Sequence, residues 1–211
     1  MTGPVLGTLV IMTKEPKLGR VKTRLARDIG EVAATTFCRH CLRETMARLS
    51  TDRRWRTQLA VSPQAARASP LLPATADRVG QGAGDLGARM INVIRRAPHG
   101  AVIVVGADIP AITAADIADA FKTLRRADVV IGPALDGGYW LIGAARRARG
   151  EIAFSGVRWS TAHALADTQA AMAGLSLAVT GRKQDVDDVS SYRELASSAG
   201  RRIVCQRRHN P

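Results

Sequence analysis

Five basic side chains fall within eleven residues: Lys14, Lys17, Arg20, Lys22 and Arg24. They follow an apolar run, Val5–Met12, that fits a buried strand, and they flank Gly19, where the chain can turn. A helix is predicted from Lys22 to Ile29. A helix N-terminus offers free N–H groups and the positive end of the macrodipole, both suited to phosphate. Cations at that end ordinarily destabilise the helix start, so Lys22 and Arg24 point to a compensating anion. The segment is not a P-loop, because Val21 precedes Lys22-Thr23 and no glycine stands five residues before Gly19. Lys14, Gly19, Arg20, Lys22, Thr23 and Arg24 are expected to hold a diphosphate or triphosphate. The plainer alternative is a solvated basic turn.

Two acidic segments can answer that loop. Asp108 follows the strand-like run Ala101–Gly106 and precedes Pro110, which stops further pairing. Asp185-Val186-Asp187-Asp188 follows a strand predicted at Leu175–Val179, and its three carboxylates repel one another unless a cation lies among them. Asp188 has a plainer role, capping a helix predicted over Asp188–Ser198. Mg²⁺ takes oxygen ligands, typically one or two carboxylates with substrate phosphates and water. Asp108 and Asp187 can supply that pair from different strands. The expected chemistry is attack by an acceptor oxygen on a nucleotide-activated donor. Mg²⁺ or Mn²⁺ and the loop cations would stabilise charge on the leaving phosphate. Such chemistry works by positioning and electrostatics and needs no protein nucleophile. Lys22, Asp108 and Asp187 are thus the expected catalytic groups.

Three further segments are candidates for substrate contact. Asp136-Gly137-Gly138 reads either as a turn between strands or as a place where backbone approaches a ligand closely. Asp85, in the flexible stretch Gln81–Gly87, fits a helix N-cap and also a ligand role. Trp159 and Ser160 stand with Thr161 at a predicted helix entrance, where Ser160 or Thr161 is expected to cap. Cys38 and Cys41 share a helix face and read as core, since no second Cys/His pair stands at metal-ligand spacing. Ser62 and Ser160 lack a nucleophile-elbow context. His99 and His163 receive no catalytic role.

The elements that must position these groups alternate in type. Helical spacing marks Glu31–Ser50 (Val32, Phe37, Cys41, Leu42, Met46, Leu49) and Asp85–Ala97, with Leu86, Met90, Val93 and Ile94 inward. Thr113 and Asp116 form a capping signal before a helix through Leu124, and Thr161–Ala173 is also helical. Further strands are expected at Arg56–Val61, Val129–Ile131, Tyr139–Ile142 and Arg202–Val204. Strands separated by helices argue for a three-layer α/β/α sandwich with a mostly parallel sheet, whose ligands bind beyond the carboxyl ends of the strands.

Composition fits this frame. A length of 211 residues favours one domain spanning 1–211, given roughly 100–200 residues per domain. The chain is 46% hydrophobic and 23% charged, which excludes general disorder. No apolar run approaches the ~20 residues of a membrane span, and the N-terminus lacks signal-peptide features. Three cysteines make no disulfide framework. A cytoplasmic protein without a membrane partner is expected. The net charge of +13 is loaded at the ends: residues 1–60 carry 12 basic and 5 acidic side chains, and Arg201, Arg202, Arg207 and Arg208 crowd the last eleven residues. An anionic partner follows, either a phosphorylated small molecule or nucleic acid. A nucleic-acid module built on Arg53, Arg54, Arg56 and the tail is disfavoured by the 4% aromatic content and the lack of a binding motif. A homodimer through Gly138–Ile142 is a further expectation.

With these residues in hand, the chain resembles the bacterial selenium- or radical-SAM-associated glycosyltransferase-like family of unknown function, whose fold is the nucleotide-diphospho-sugar transferase (GT-A) type. The resemblance runs from about residue 9 to 195. It rests on Lys14-x-Pro16 with Gly19-Arg20-Val21-Lys22-Thr23-Arg24-Leu25, and on Gln81-Gly82-x-Gly84-Asp85-Leu86-Gly87-x-Arg89-Met90. Gly106-x-Asp108-x-Pro110, Gly132-Pro133-x-x-Asp136-Gly137-Gly138-Tyr139, Trp159-Ser160-Thr161 and Asp185-Val186-Asp187 complete it. The Lys-Thr-Arg-Leu element is also similar to that of 2-phospholactate guanylyltransferases. The resemblance implies metal ligation by Asp108 and Asp187, with Asp185 as a third candidate. It implies glycosyl transfer from a nucleotide sugar to an unidentified acceptor, or nucleotidyl transfer from an NTP to a phosphorylated acceptor with pyrophosphate release. Ala107 and Asp188 depart from the family pattern, where Ser and Thr are usual.

Overall fold

The computed structural model describes residues 5–74, 77–98, 100–195 and 197. The expected strand at Arg202–Val204, the arginines of the tail and His99 lie outside the described residues. In chain order the elements are β1 (Gly7–Lys14), α1 (Thr23–Ile29), α2 (Glu31–Leu49), β2 (Arg56–Ser62), β3 (Asp77–Gly80), α3 (Leu86–Arg96), β4 (Ala101–Gly106), α4 (Ala114–Thr123), β5 (Val129–Pro133), β6 (Tyr139–Ala144), α5 (Ala164–Ala171) and β7 (Leu177–Val179). Short 3-10 turns lie at Gln64–Ala68 and Arg146–Ala148, and a final helical segment occupies 189–195.

Among the described residues seven strands form one sheet, in the order β3-β2-β1-β4-β6-β5-β7. Every neighbouring pair is parallel except those of β6, which runs antiparallel to both β4 and β5. The two-residue period of a strand sends alternate side chains to opposite faces. Leu9, Ile11, Leu59, Val61, Ile103 and Val105 therefore pack on one side against Leu42 and Met46 of α2 and Ile117 and Phe121 of α4. Val10, Ala60, Val102, Val104 and Ile131 pack on the other against Met90, Val93 and Ile94 of α3. This is the three-layer α/β/α sandwich. Leu9, Ile11, Leu59 and Ile103 are fully buried, each worth about 1.5–3 kcal/mol of transfer free energy before the entropy of ordering is counted. The capping box of α4 forms as expected: Thr113 Oγ1 accepts from the Asp116 N–H, and Asp116 accepts from the Thr113 N–H at 2.8 Å.

Several expectations need correction. Val32 is 69% exposed. The buried stripe of α2 runs through Ala34, Thr35, Cys41, Leu42 and Met46, and Val32, in the first turn, lies about 100° round the helix from its centre. Leu86 is exposed as the first residue of α3, at the mouth of a cleft. Helix α5 starts later than expected, and neither Ser160 nor Thr161 caps it. His163 holds the N-cap position, and Thr161 Oγ1 instead accepts from the His163 N–H and donates to the Arg158 carbonyl. Gly138–Ile142, expected to serve a dimer interface, includes most of β6, an interior strand paired on both sides whose residues 140–142 are buried.

Candidate active site

From β1 the chain passes outward to β2 and β3, then returns across β1 to β4. The crevice beyond the carboxyl ends of β1 and β4 is therefore a topological switch point, where open α/β sheets bind ligands. The basic loop leaves β1 there, and Asp108 leaves β4. Arg39 of α2 pins the loop by donating from Nε to the Pro16 carbonyl at 3.0 Å. Lys22, at the N-cap position of α1, is left-handed (φ 48°, ψ 43°), a conformation costing a non-glycine residue roughly 1–2 kcal/mol.

Its side chain runs inward and is only 7% exposed. Lys22 Nζ donates to Asp108 Oδ2 at 2.7 Å and to Asp187 Oδ1 at 2.5 Å. Burial alone would lower the lysine pKa. The two carboxylates more than reverse this, so Lys22 is held above the ordinary lysine range and stays charged. The anion that compensates Lys22 is thus the protein's own carboxylate pair, a correction to the expectation of an external one.

The acidic segment reaches this point by a backbone bond. The Val186 N–H donates to the Asp108 carbonyl at 3.3 Å, and the Val186 side chain is buried. Asp187 is thereby set beside Asp108. Asp188 is engaged elsewhere: its Oδ1 accepts from the Ser191 N–H at 2.9 Å, as a cap for the last helical segment, and this holds its carboxyl below the usual range. Asp185 completes a trio with Asp108 and Asp187, whose ligand oxygens lie within 4.8 Å of one another. Burial first, then the neighbouring Asp187, Asp108 and Asp136, push its carboxyl up to about 6 against the opposing pull of Lys22. Three carboxylates facing one ammonium leave a surplus of negative charge. Hard oxygen donors so spaced fit Mg²⁺ or Mn²⁺ after small side-chain movements.

Two lobes meet at Asp108 and Asp187. One, of about 590 Å³, is lined by Lys14, Arg20, Lys22, Thr23 and Arg24, together with Asp85 and Arg89. The other, of about 440 Å³, is lined by Asp136, Gly138, Tyr139, Trp159 and Asp185, with Met90 among its apolar residues. Ser160 and Arg24 border both. Ser160 is itself left-handed, at φ 60°.

Of the predicted residues, Gly19 and Gly137 line neither lobe. Gly19 turns the loop at φ 70° near the Glu31 carboxylate. Gly137 sits at φ 85° in the β5–β6 connection, where Asp136 Oδ1 accepts from the Gly138 N–H at 2.9 Å. The turn reading of Asp136-Gly137-Gly138 is correct, and its flanks also face the cleft. Asp85 caps α3, accepting from the Ala88 N–H at 2.8 Å, while lining the basic lobe.

Sequence reasoning gave no site role to Gln81, Arg89, Met90 or Tyr139. Gln81 is buried, donating from Nε2 to the Thr13 and Ala60 carbonyls and fastening the ends of β1 and β2. Tyr139 contacts Thr168 and Met90 through its hydroxyl, and burial raises its pKa. Gln81, Arg89 and Met90 do stand within one glycine-rich motif, which was the available signal.

Residues 45–161, more than half of the chain, match the family described as an uncharacterized protein conserved in bacteria, DUF2064. The chain belongs to this family. Among solved structures, this DUF2064 protein is similar to one from Desulfovibrio desulfuricans G20 named as a candidate nucleotide-diphospho-sugar transferase. The two are 27% identical over 88% of this chain and 84% of that one, with a TM-score of 0.78. A nucleotidyl transferase from Methanothermobacter thermautotroptrophicus is 14% identical over 92% and 98%, with a TM-score of 0.59. Rv0371c of Mycobacterium tuberculosis H37Rv, solved with manganese, is 15% identical over 91% and 98%, at 0.56. These last two likenesses show the fold alone. Among curated proteins none matches. The DUF2064 chain thus has the fold that nucleotide-sugar and nucleotidyl transferases share.

Proposed function

We propose that this protein is a metal-dependent transferase that moves a glycosyl group from a nucleotide sugar to an acceptor hydroxyl. The observation that carries the reading is the convergence of Lys22, Asp108 and Asp187 between a cation-lined lobe and an acid-lined one. The nucleotide diphosphate lies in the first lobe, against Lys14, Arg20, Lys22 and Arg24 and near Thr23 at the start of α1. Asp108, Asp187 and Asp185 would hold Mg²⁺ or Mn²⁺, which supplies charge neutralisation at the diphosphate. Lys22 stays protonated and, released from its carboxylates by the ligand, stabilises negative charge on the leaving phosphate. The bond from the anomeric carbon to the phosphate oxygen breaks, and its electron pair leaves with the nucleoside diphosphate. The acceptor oxygen bonds to that carbon and passes its proton to water in the cleft. Asp85, Asp136, Gly138, Trp159 and Ser160 position the two substrates.

The likeness to a structure solved with manganese and to one named as a candidate nucleotide-diphospho-sugar transferase supports this reading. We place the chain with the selenium- or radical-SAM-associated members on its motifs. Among the described residues no helix is long and apolar enough to cross a membrane, and a cytoplasmic reaction on small molecules is part of the proposal. Arg54 of the Arg53–Arg56 patch is bound to Asp52 and lies over Trp55, which weakens the nucleic-acid alternative. The nucleotidyl alternative, with an NTP and a phosphorylated acceptor, differs in its product.

The test is incubation with a panel of nucleotide sugars and the four NTPs, with Mg²⁺ or Mn²⁺. The expected outcome is nucleoside diphosphate release from a nucleotide sugar, lowered at least about 100-fold in Asp108→Ala and Lys22→Ala. Pyrophosphate release from an NTP would replace glycosyl with nucleotidyl transfer. Release from neither would overturn both.

A further inference from the structure

We propose that the acid-lined lobe binds an uncharged, polyhydroxylated acceptor with an apolar face, and that it rejects phosphorylated acceptors. This rests on the reading of the other lobe as the nucleotide site.

The two lobes differ in charge. The basic lobe brings Lys14, Arg20, Lys22 and Arg89 against Asp85, outside the groups that both share. The acid-lined lobe brings Asp136 and Asp185, and among the described residues Arg24 is its only basic lining residue and is shared. A phosphate monoester carries about −1.5 to −2 charge at neutral pH. Bound here, it would give up water while facing carboxylates, and the one guanidinium within reach also serves the nucleotide diphosphate. An anion set against these carboxylates without a cation of its own is disfavoured by like-charge repulsion. Neutral hydroxyls meet no such obstacle. They can donate to Asp136, the lining carboxylate not assigned to the metal, and exchange hydrogen bonds with Ser160 and Thr161.

The walls supply the second half of the recognition. Trp159 is half-buried and is held edge-on by Phe154 at 5.5 Å and Tyr139 at 6.4 Å between ring centroids. It packs over Gly87, where a Cβ would come within 2.8 Å of the indole. An aromatic surface locked from three sides presents apolar area to a ligand with little side-chain entropy left to lose. A saturated ring with C–H groups on one face and hydroxyls at its rim matches an indole in the same lobe as the Asp136 carboxylate. The lobe's 440 Å³ lies within the range of small-molecule sites.

The probe is a mixture of neutral methyl glycosides and polyols (methyl glucoside, galactoside, mannoside and N-acetylglucosaminide, with myo-inositol), set against glucose 6-phosphate and mannose 6-phosphate. Saturation-transfer NMR on the full chain reads binding without nucleotide. At least one neutral compound should receive transfer in the wild type, and that transfer should fall about tenfold in Trp159→Ala and in Gly87→Ala. The sugar phosphates should receive about tenfold less than the best neutral ring, and Asp136→Lys should narrow that gap. Circular dichroism confirms that each variant is folded, and Gly87→Ala keeps the test open if Trp159→Ala is not. No transfer to any neutral compound, or equal transfer to a phosphate, would overturn the proposal. Loss of the signal on adding a nucleotide sugar that the enzyme turns over would also overturn it, by giving the lobe to the donor's own glycosyl group. Because no nucleotide enters the binding arm, a failed turnover assay and a failed lobe are told apart.

Discussion

At the scale of single residues, Asp108 depends on the glycine two positions before it. A Cβ on Gly106 would stand 2.6 Å from Asp108 Oδ1, and the backbone of Gly106 needs no left-handed conformation. Gly106→Ala should therefore move the carboxylate more than it harms the fold. We expect Mn²⁺ affinity to fall about tenfold by calorimetric titration, with the thermal unfolding midpoint little changed. Cys41 gives a pH-dependent prediction. Burial pushes its thiol from 9.0 up to about 12, against a smaller opposing pull from Lys22. Below pH 9 the thiol is protonated in both folded and unfolded chains. Between pH 9 and about 12 the unfolded chain ionises first, so this group subtracts stability as pH rises through that window. Alkylation of Cys41 in the native protein should be slow at pH 8, when only about one thiol in 10⁴ is ionised. It should accelerate as pH rises or when the chain is denatured, as mass spectrometry of the labelled peptide would show. That Lys22, Asp108 and Asp187 meet in one cleft was legible from residue type and position after strands. The hydrogen bond from Val186 to Asp108 that joins them was not, because it depends on a contact across 78 residues.

At the scale of elements, the sequence carried most of the strand and helix positions, since β-branched runs such as Ala101–Gly106 and the Thr113–Asp116 box are local signals. The sheet order was less legible. Tyr139–Ile142 reads as a strand, yet nothing local states that β6 inserts between β4 and β5 in the opposite direction. That insertion sends the Asp136–Gly138 connection to the cleft. It also makes the strand of Gly138–Ile142, the segment expected to serve a dimer, an interior one. The connection depends on Gly137, whose φ is 85° and whose Cβ position lies 2.4 Å from the Ala162 carbonyl oxygen. Gly137→Ala should cost about 1–3 kcal/mol in urea unfolding and should perturb the acid-lined lobe through Ala162. Burial faces were partly misread for a related reason. Leu86 satisfies the helical period but opens α3 at the cleft, where it is exposed.

At the scale of the whole molecule, one cleft separates two kinds of charge. The excess of cations in residues 1–60 includes the loop on one side of Lys22, and the aspartates of later segments gather on the other. The switch point between β1 and β4 puts the boundary at the sheet's carboxyl edge, and the Lys22–Asp108–Asp187 cluster marks it. The central claim is that this cluster binds a nucleotide's phosphates together with a divalent ion. Calorimetric titration with a panel of nucleoside diphosphates, with and without Mn²⁺, tests it most directly in the wild type, Asp108→Ala and Lys22→Ala. The account predicts that at least one nucleotide binds about tenfold or more tightly with Mn²⁺, that Asp108→Ala abolishes this gain, and that Lys22→Ala weakens binding with or without metal. Nucleotide binding that is indifferent to Mn²⁺ and survives both substitutions in folded protein, or no binding by any nucleotide, would contradict it.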